Sequence, residues 1–430
     1  MKSKRFWIGI AVLTLAAPGL ARAADAKVYR KLEVFAKVLS YIDTNYIEDV
    51  SDEELIDNGI RGMVSSLDPH TMYMPPNLYR ELKEDTSGEF EGVGIELSVK
   101  NEALTIVAPI EDSPADRAGI KAGDTILKIN GTPTKGMFLL EAVKKLKGPQ
   151  GSKVTIQLQH KDATEAYEVT LTREKIGIKS VSSELLEPGY GYLRIKSFQE
   201  KTDRELTRHL ERIEKETGKK ELKGIILDLR NNPGGLLEQA IRVADVFLES
   251  GVIVSTMGRK GAFQEVKMAH KEGTWKPVPM ITLVNVGSAS ASEIVAGALQ
   301  DHKRSVILGD QTFGKGSVQT IIDLEDGSAL KVTIARYYTP NGRSIQAQGI
   351  TPDIEVSEVP PPMADTGTLR ERDLKGHIEA PAVAKKPDTK KLQAKRGETA
   401  VDSDIQLRRA VEYLKTWDVF KPAVSSKNSG

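Results

Sequence analysis

Apolar residues near the start of the chain recur every three or four positions, which puts them on one face of an amphipathic helix. The members of this pattern are Val28, Leu32, Phe35, Val38 and Leu39. A second helix is predicted to begin at Ser51, with acidic residues in its first turn, and to end at the Asp-Pro pair 68–69. The pattern predicts a helical segment over residues 26–88 that carries no obvious chemistry.

The pattern changes between residues 89 and 175, where short alternating runs replace the helical spacing. The runs 154–158 and 167–171 alternate as half-buried strands do, and Asn130-Gly131 is a strong signal for a tight turn. A helix is predicted to start at Ser113-Pro114, and a second covers 134–147. We predict a small, strand-rich module with two helices.

Predicted strands and helices alternate from residue 188 to 356. Such alternation is typical of an α/β layer with a largely parallel sheet. A further strand pair is predicted near 318–322 and 330–337. The alternating strands are 191–195, 224–228, 252–256, 280–286 and 305–308, and the helices are 202–217, 236–249 and 290–301.

The end of the chain departs from this pattern. Residues 357–401 open with three prolines and become rich in lysine, which predicts a solvated linker. Residues 402–430 are predicted to form a short amphipathic helix, over 402–418, and a tail.

The first 23 residues have the features of a signal peptide: basic residues, an apolar stretch and a small-x-small site at 21–23. Export to the periplasm or another extracytoplasmic space is therefore expected, and the alternative is an uncleaved anchor that keeps the protein at the membrane.

Cleavage removes four basic residues, which leaves 57 basic against 60 acidic residues, or a net charge of −3. With no basic stripe, nothing indicates nucleic-acid binding. The chain has no cysteine, which excludes disulfides, thiolate nucleophiles and cysteine metal sites.

Three turns follow predicted strands at their carboxyl ends, where the sites of parallel α/β sheets form. They are 231–235 (Asn-Asn-Pro-Gly-Gly), 287–292 (Gly-Ser-Ala-Ser-Ala-Ser) and 309–316 (Gly-Asp-Gln-Thr-Phe-Gly-Lys-Gly). If their strands are neighbours, the three turns converge.

Together the turns supply the parts that acyl transfer needs. Ser290 begins a helix, where the dipole and free amides favour a nucleophile. The Gly234-Gly235 and Ala291 amides can form an oxyanion hole. Lys315 can act as the base if burial lowers its pKa. Each turn taken alone also has an ordinary structural interpretation, as a helix cap, a tight turn or a surface loop.

Other chemistries find less support in the sequence. No histidine is predicted at a strand end opposite Ser290, although a Ser-His-Asp triad remains the alternative to a lysine base. No histidine pair has metal-ligand spacing, so no metal is expected, and the glycine spacing around Lys315 is not that of a P-loop.

The combined motifs resemble those of the carboxyl-terminal processing proteases, also called tail-specific proteases. The matching segments are 228–235, 287–294, 313–319, 338–346 and 349–353, and the resemblance runs from about residue 30 to 356. It implies a crotonase-like or ClpP-like α/β fold, with a serine peptidase core at 176–356, an inserted PDZ-like module at 89–175 and the N-terminal helical segment.

The resemblance also implies roles for individual residues. Ser290 matches the nucleophile, Lys315 the general base, and Gln319 the residue that orients the lysine. Gly234 and Ala291 match the oxyanion-hole amides, and Asp301 matches an acidic position that is important in some members. The implied enzyme is a serine endopeptidase that needs no cofactor.

The PDZ-like module implies protein partners that bind through their C-terminal tails. PDZ domains add the peptide as a strand and hold its carboxylate with loop amides. The carboxylate loop is predicted to be Gly92, Val93, Gly94 and Ile95. Lys147 stands where the family commonly has arginine, which keeps the charge and loses the bidentate geometry. The helices at 28–65 and 402–418 are candidate contacts in a homo-oligomer, and an adaptor protein is a further candidate partner.

Two other classes of function remain open from the sequence. One is a PDZ scaffold with a silent protease core, which the intact Ser290, Lys315 and Gln319 argue against. The other is a crotonase-like acyl-CoA enzyme, which the export signal and the PDZ-like insert argue against.

Overall fold

The structure of the chain is a computed structural model that describes residues 26–100, 103–160, 163, 165–218, 221–357, 369–380 and 404–425. The predicted export segment 1–23 lies outside the described residues, and so does most of the predicted linker 357–401. The chain divides into two compact units, one up to Met63 and the other from Val64 onward.

The described residues of the first unit form two helices, as the apolar spacing predicts. Phe35 of the first helix lies against Gly59 of the second, where an added Cβ would be 3.0 Å from the phenyl ring. Much of the apolar face stays open to solvent, since Val28, Leu32 and Val38 are 49–57% exposed. The helices are α1 (Ala26–Asn45) and α2 (Asp52–Ser65).

The helix α2 ends at Ser65, close to the predicted end at 68–69, and a turn and a short strand then interrupt the predicted helical segment 26–88 before a third helix begins. The Asp68 carboxylate accepts hydrogen bonds from the amides of His70 and Thr71, which stabilises the tight turn after α2. The residues that follow form a strand, which pairs with residues 329–331 of the core. The two elements here are β1 (Met72–Met74) and α3 (Pro76–Ser87).

Residues 89–177 form the small strand-rich module. Its helix predicted at 134–147 begins only at Leu139, because the Thr134 amide instead donates to the Leu127 carbonyl and extends a hairpin. The elements are β2 (Glu89–Gly92), β3 (Ile95–Lys100), β4 (Ala103–Pro109), α4 (Pro114–Arg117), β5 (Thr125–Ile129), β6 (Thr132–Pro133), α5 (Leu139–Leu146), β7 (Lys153–Gln159), β8 (Ala166–Thr172) and β9 (Glu174–Gly177).

Strands and helices alternate from residue 181 onward, close to the predicted positions. The elements are β10 (Val181–Glu187), β11 (Tyr190–Ile195), α6 (Thr202–Thr217), β12 (Gly224–Asp228), α7 (Leu237–Asp245), β13 (Val252–Gly258), β14 (Phe263–Met268), β15 (Met280–Val284), α8 (Ala291–Asp301), β16 (Val306–Gly309), β17 (Ser317–Asp323), β18 (Ala329–Tyr338), β19 (Ile354–Glu355) and α9 (Ile405–Ser425).

A six-stranded sheet lies at the centre, in the order β10-β11-β12-β15-β16-β19. Its strands pair in parallel except for β10, which is antiparallel to β11. Every residue of β12 and β15 is buried, as expected for parallel strands covered on both faces. One face packs on α6, α7 and α8, and the other packs on Ala410 and Leu414 of α9.

The strand predicted at 252–256 belongs to a different sheet from the one expected. As β13 it pairs antiparallel with β14 and β18, in a five-stranded sheet that also holds β1 and β17. A short turn at Arg259–Gly261 lets β13 and β14 form a local hairpin, which requires antiparallel pairing. The α/β layer is therefore flanked by a second, antiparallel sheet.

The described part of the predicted linker also differs from a solvated chain. Residues 369–380, here called the crossing segment, contain a 3-10 turn at Glu371–Asp373. The side chain of Glu371 is fully buried, and its amide donates to the Phe313 carbonyl. Contacts with the core therefore hold this segment, despite its polar composition.

Candidate active site

The three turns singled out from the sequence meet at one edge of the parallel sheet. Their strands, β12, β15 and β16, are consecutive neighbours. The Ala289 amide donates to the Asn232 carbonyl at 3.0 Å, and the Phe313 amide donates to the Ser288 carbonyl at 3.1 Å. The middle turn is thus bonded to the turns on both sides of it.

Ser290 differs from the two serines that flank it. Ser288 and Ser292 are fully buried, and their hydroxyls donate to the carbonyls of Leu229 and Asn232. Ser290 is half-buried at the start of α8, with φ 55° and ψ −112°. Residues other than glycine rarely adopt this backbone conformation, and such backbone strain is typical of active sites. Ser290 is therefore the serine that the fold holds in an unusual, accessible position.

Lys315 lies half-buried in the third turn. Burial and, to a lesser extent, the positive charge of Lys331 lower the pKa of its ammonium to about 8, against the opposing charges of Glu371, Glu293 and Asp68. A substantial fraction of the side chain is thus neutral near pH 8 and can accept a proton. Within the described residues the ammonium has no hydrogen bond, including none to Ser290.

A buried carboxylate joins the serine turn to the lysine turn. Glu293 is fully buried, and one of its oxygens, Oε2, accepts hydrogen bonds from both the Ser290 amide at 2.8 Å and the Lys315 amide at 2.9 Å. Its Oε1 accepts from the Gly314 amide at 2.7 Å and from the Thr312 hydroxyl. Burial raises the pKa of Glu293 to about 7, and these four hydrogen bonds oppose that shift.

Glu293 has no predicted role from the sequence. The signal was present, since a glutamate three residues after a helix-starting serine is the capping-box spacing. Its bond to the Ser290 amide is one half of that box, and its bonds to the lysine turn depend on the tertiary fold.

Gly234 approaches the serine closely, while its amide is engaged elsewhere. A Cβ placed on Gly234, whose φ is 105°, would lie 2.9 Å from the Ser290 Cβ and 3.0 Å from the Ala291 nitrogen. The Gly234 amide donates to the Asn232 side-chain oxygen at 2.9 Å. The Ala291 amide has no acceptor in the described part of the chain. Of the two predicted oxyanion-hole donors, Ala291 is the one that this conformation leaves available.

Asn232 is a second residue of the site without a predicted role. It is fully buried, and its side-chain amide donates to the Ile195 carbonyl while its own carbonyl accepts from Ala289 and Ser292. Asn232 therefore ties the glycine turn to the serine turn.

Gln319 and Asp301 make contacts that differ from those their predicted roles imply. The Gln319 side-chain amide donates to the hydroxyl of Ser317 at 2.8 Å and to its carbonyl at 3.1 Å, rather than bonding to Lys315. Asp301 lies at the far end of α8 from Ser290 and pairs with Arg343. The structure thus brings Ser290, Lys315, Gly234 and Ala291 together, and leaves Asp301 in a separate ion pair.

The predicted peptide-binding loop is preorganised by the module. Gly92, Val93 and Gly94 are buried, and the Ser113 hydroxyl donates to the Gly94 carbonyl at 3.2 Å. A Cβ on Gly94, whose φ is 75°, would lie 2.2 Å from the Ser113 Cβ, so this position requires glycine. The Val93 and Gly94 amides donate to no acceptor among the described residues, and Ile95 starts the adjacent strand. Such free amides can bind a carboxylate.

Lys147 follows the last residue of α5 and contacts α3 and the start of the module. Its ammonium forms an ion pair with Glu84 of α3 at 2.6 Å and lies 5.2 Å from the centre of the Phe90 ring. This contact joins the small module to α3.

Neither a metal centre nor a membrane span is found in the described ranges. Those residues include no group of three or more histidine and acidic side chains that could hold a metal ion. None of their helices combines the length and apolar character needed to cross a bilayer.

Three protein-family profiles match the chain in consecutive segments. Peptidase family S41 matches residues 189–356, and a PDZ domain matches residues 105–160. The N-terminal domain of the activating protease CtpB matches residues 16–77.

Known proteins resemble the chain over most of its length. A carboxy-terminal-processing protease of Bartonella bacilliformis is 42% identical over 94% of this chain and 93% of its own length. The carboxy-terminal processing protease CtpA of Bacillus subtilis is 38% identical over 77% of this chain and 70% of its own. The solved photosystem II D1 C-terminal processing protease is 31% identical over 76% of this chain and 92% of its own, with a TM-score of 0.44. The chain therefore belongs to the carboxy-terminal processing proteases of peptidase family S41 and is a serine-type peptidase with a PDZ domain.

Proposed function

We propose that this protein is an exported endopeptidase that binds the C-terminal tails of proteins through its PDZ domain and cleaves them with Ser290 as nucleophile and Lys315 as base. The observation that carries the proposal is the shared carboxylate oxygen. The amides of Ser290 and Lys315 both donate to Oε2 of Glu293, so the backbones of the two residues are held around one buried atom.

The proposed reaction begins with neutral Lys315, which accepts the proton of the Ser290 hydroxyl as its oxygen attacks the peptide carbonyl. The Ala291 amide stabilises the oxyanion, and the Gly234 amide joins it after leaving the Asn232 side chain. The protonated lysine passes its proton to the leaving amine, which frees the new chain end. Water then hydrolyses the acyl-enzyme with Lys315 again accepting a proton.

Gln319 is proposed to orient the lysine during this cycle. It lies on β17, four residues after Lys315, and its present bonds go to Ser317 in the same strand. A change of side-chain rotamer that releases Ser317 would let the amide oxygen accept from the ammonium. The proposal fails at this point if Gln319→Ala leaves kcat unchanged.

The peptidase core is proposed to have the crotonase-like, ClpP-like fold that the family resemblance implies. The parallel sheet with helices on both faces supports this assignment. A crystal structure of the chain, superposed on enzymes of that fold class, would test it.

The PDZ loop is proposed to hold the substrate carboxylate. The Val93 and Gly94 amides, which have no acceptor in the described ranges, are the donors, and the Ile95 strand receives the peptide as an added strand. A peptide with a free C-terminal carboxylate should bind. The same peptide with an amidated C-terminus should have an affinity lower by about tenfold or more, because its neutral end cannot form the charge-assisted hydrogen bonds. Equal affinities would place recognition elsewhere.

The site of action is proposed to be extracytoplasmic, after cleavage of residues 1–23. The composition of that segment supports this assignment. N-terminal sequencing of the protein from a cell envelope fraction should begin at Ala24. An intact Met1 in the membrane fraction would favour the uncleaved anchor.

A second copy of the chain is the partner proposed for α1, and the exposed apolar face of that helix supports the proposal. Sedimentation should give an oligomer for the mature protein and a monomer when the exposed Leu32 and Val38 are replaced by serine. A monomer in both cases would leave an adaptor protein as the candidate for that face.

The direct test is cleavage of an unfolded reporter with an apolar C-terminal tail. The mature protein should cleave it, and Ser290→Ala and Lys315→Ala should not, while circular dichroism shows that both variants are folded. Cleavage that survives Lys315→Ala would contradict a lysine base.

A further inference from the structure

The crossing segment contacts the turn that carries Lys315, although it lies beyond the residues matched by the peptidase family. The Glu371 amide donates to the Phe313 carbonyl at 3.3 Å, and the Arg370 guanidinium donates to the Gln311 side chain at 2.7 Å. The Ile378 carbonyl accepts from the Gln346 side chain at 3.0 Å. The segment is thus bonded to the lysine turn and to the loop beside it.

The carboxylate of Glu371 is the one fully buried charge in the described residues of this segment. The His70 Nε2 lies 2.7 Å and 2.9 Å from its two oxygens, and the Gln346 side-chain amide donates to one of them at 2.8 Å. Burial raises the pKa of Glu371, but the hydrogen bonds from His70 and Gln346 outweigh it and lower the pKa overall. Glu371 is therefore a paired, ionised group in a buried position, where an unpaired charge would be costly.

Gln346 relays this anchoring to the lysine turn. Its side-chain oxygen accepts a hydrogen bond from the Gly316 amide at 3.0 Å, while its nitrogen donates to Glu371. On the other side of Lys315, the Gly314 amide donates to Glu293 at 2.7 Å. Buried carboxylates therefore hold the residues before and after the lysine, Glu293 directly and Glu371 through Gln346.

The charge of Glu371 also acts on Lys315 itself. A nearby negative charge favours the protonated ammonium, so Glu371 raises the pKa of Lys315 while Lys331 lowers it. The charged groups that bear on Lys315 are Lys331 on β18, Glu371 on the crossing segment, Glu293 on α8 and Asp68 in the turn before β1, and His70 faces Glu371.

We propose that Glu371 is a positioning residue for the peptidase reaction: from the crossing segment, and through Gln346, it fixes the turn that presents Lys315 to Ser290. The proposal rests on the proposed function of Lys315 as the base. It assigns a role in the reaction to a part of the chain that lies outside the matched peptidase region.

The test compares Glu371→Gln with Glu379→Gln in the mature, full-length protein. Glu379 lies on the same segment and is exposed, so it gives a matched change of charge. Glu371→Gln should lower kcat roughly tenfold to a hundredfold with KM within about twofold, since a small misplacement of a catalytic group is costly. The rising limb of kcat/KM against pH should move to lower pH, because loss of the negative charge lowers the pKa of Lys315. Glu379→Gln should leave kcat, KM and the rising limb of the pH profile unchanged.

A second variant keeps the proposal testable if Glu371→Gln does not fold. Gln346→Met breaks the relay and leaves the Glu371 charge in place, so kcat should fall while the rising limb stays where it is in the wild type. A residue that only supported the fold would lower the yield of folded protein and leave the pH profile of the folded fraction unchanged.

The outcomes separate this inference from the proposed function. If Lys315→Ala is as active as the wild type, the proposed base is wrong, and the role of Glu371 falls with it. If Lys315→Ala is inactive while folded Glu371→Gln keeps the wild-type kcat and pH profile, the inference alone is overturned. Wild-type kcat in folded Gln346→Met would likewise overturn the relay.

Discussion

Glu293 joins the two turns that carry the proposed nucleophile and base. Its Oε2 accepts from the amides of both Ser290 and Lys315, which come from turns after different strands. The sequence predicted Ser290 and Lys315, because small residues and a helix start follow one strand and a glycine-flanked lysine follows the next. It did not predict the bond between the turns, because no local pattern connects residue 293 to residue 315.

The pKa of Lys315 should determine how the rate depends on pH. With a pKa of about 8, the rising limb of kcat/KM should have its midpoint near pH 8. Replacing Lys331 by methionine removes a positive charge that lowers this pKa, so the pKa should rise and the limb should move to higher pH. At pH 7 the rate should fall roughly twofold to tenfold, because one pKa unit changes the neutral fraction about tenfold.

Lys128→Met is the matched control for this experiment. Lys128 is an exposed lysine on β5 of the PDZ domain, so its removal should leave the pH profile of an untethered peptide substrate unchanged. A shift of the Lys331→Met profile to lower pH would contradict the assigned electrostatics.

Gly234 should tolerate no side chain. A Cβ there would lie 2.8 Å from the Ala289 carbonyl oxygen and 2.9 Å from the Ser290 Cβ, so Gly234→Ala should displace the serine turn. We expect kcat to fall on the order of a hundredfold. Gly342→Ala is the control, because Gly342 also has a positive φ, of 74°, but an added Cβ meets nothing within 4 Å. Equal activities of the two variants would remove the steric argument.

At the scale of elements, local patterns predicted most strands and helices, while pairing depended on the fold. The predicted strand 224–228 and the predicted helix 202–217 coincide with β12 and α6. The strand at β13 was assigned to the parallel sheet, yet it forms an antiparallel hairpin with β14. Periodicity identifies a strand and does not specify its neighbour, since both kinds of sheet alternate side chains in the same way.

The helix α9 should contribute to the stability of the core. Leu414 is 2% exposed and packs on the side of the central sheet opposite α6, α7 and α8. Leu414→Ala should lower the free energy of unfolding by about 2–5 kcal/mol, the usual range for a leucine removed from a core. Trp417→Ala on the same helix should cost less than about 0.5 kcal/mol, since Trp417 is 55% exposed. Chemical denaturation of both variants measures the difference, and equal values would show that α9 does not pack as described.

At the scale of the whole molecule, the resemblance covered residues 30–356 well and the tail poorly. Proline and lysine content predicted a solvated linker for 357–401, yet Glu371 within it is buried against His70, which lies 301 positions away in sequence. Composition describes the average of a segment, whereas one buried carboxylate depends on partners brought together by folding. The same reason explains why Asn232 and Gln346 were missed as connecting residues.

The central claim is that Lys315 activates Ser290, and the rate of covalent labelling tests it without any dependence on substrate recognition. A fluorophosphonate probe should add once to the wild-type protein, at Ser290 by peptide mass spectrometry, with a rate that rises through about pH 8. Ser290→Ala should not be labelled. Folded Lys315→Ala should be labelled at least about a hundredfold more slowly than the wild type, as expected when a general base is lost. Labelling of Lys315→Ala at the wild-type rate would contradict the account and assign the activation of Ser290 to another group.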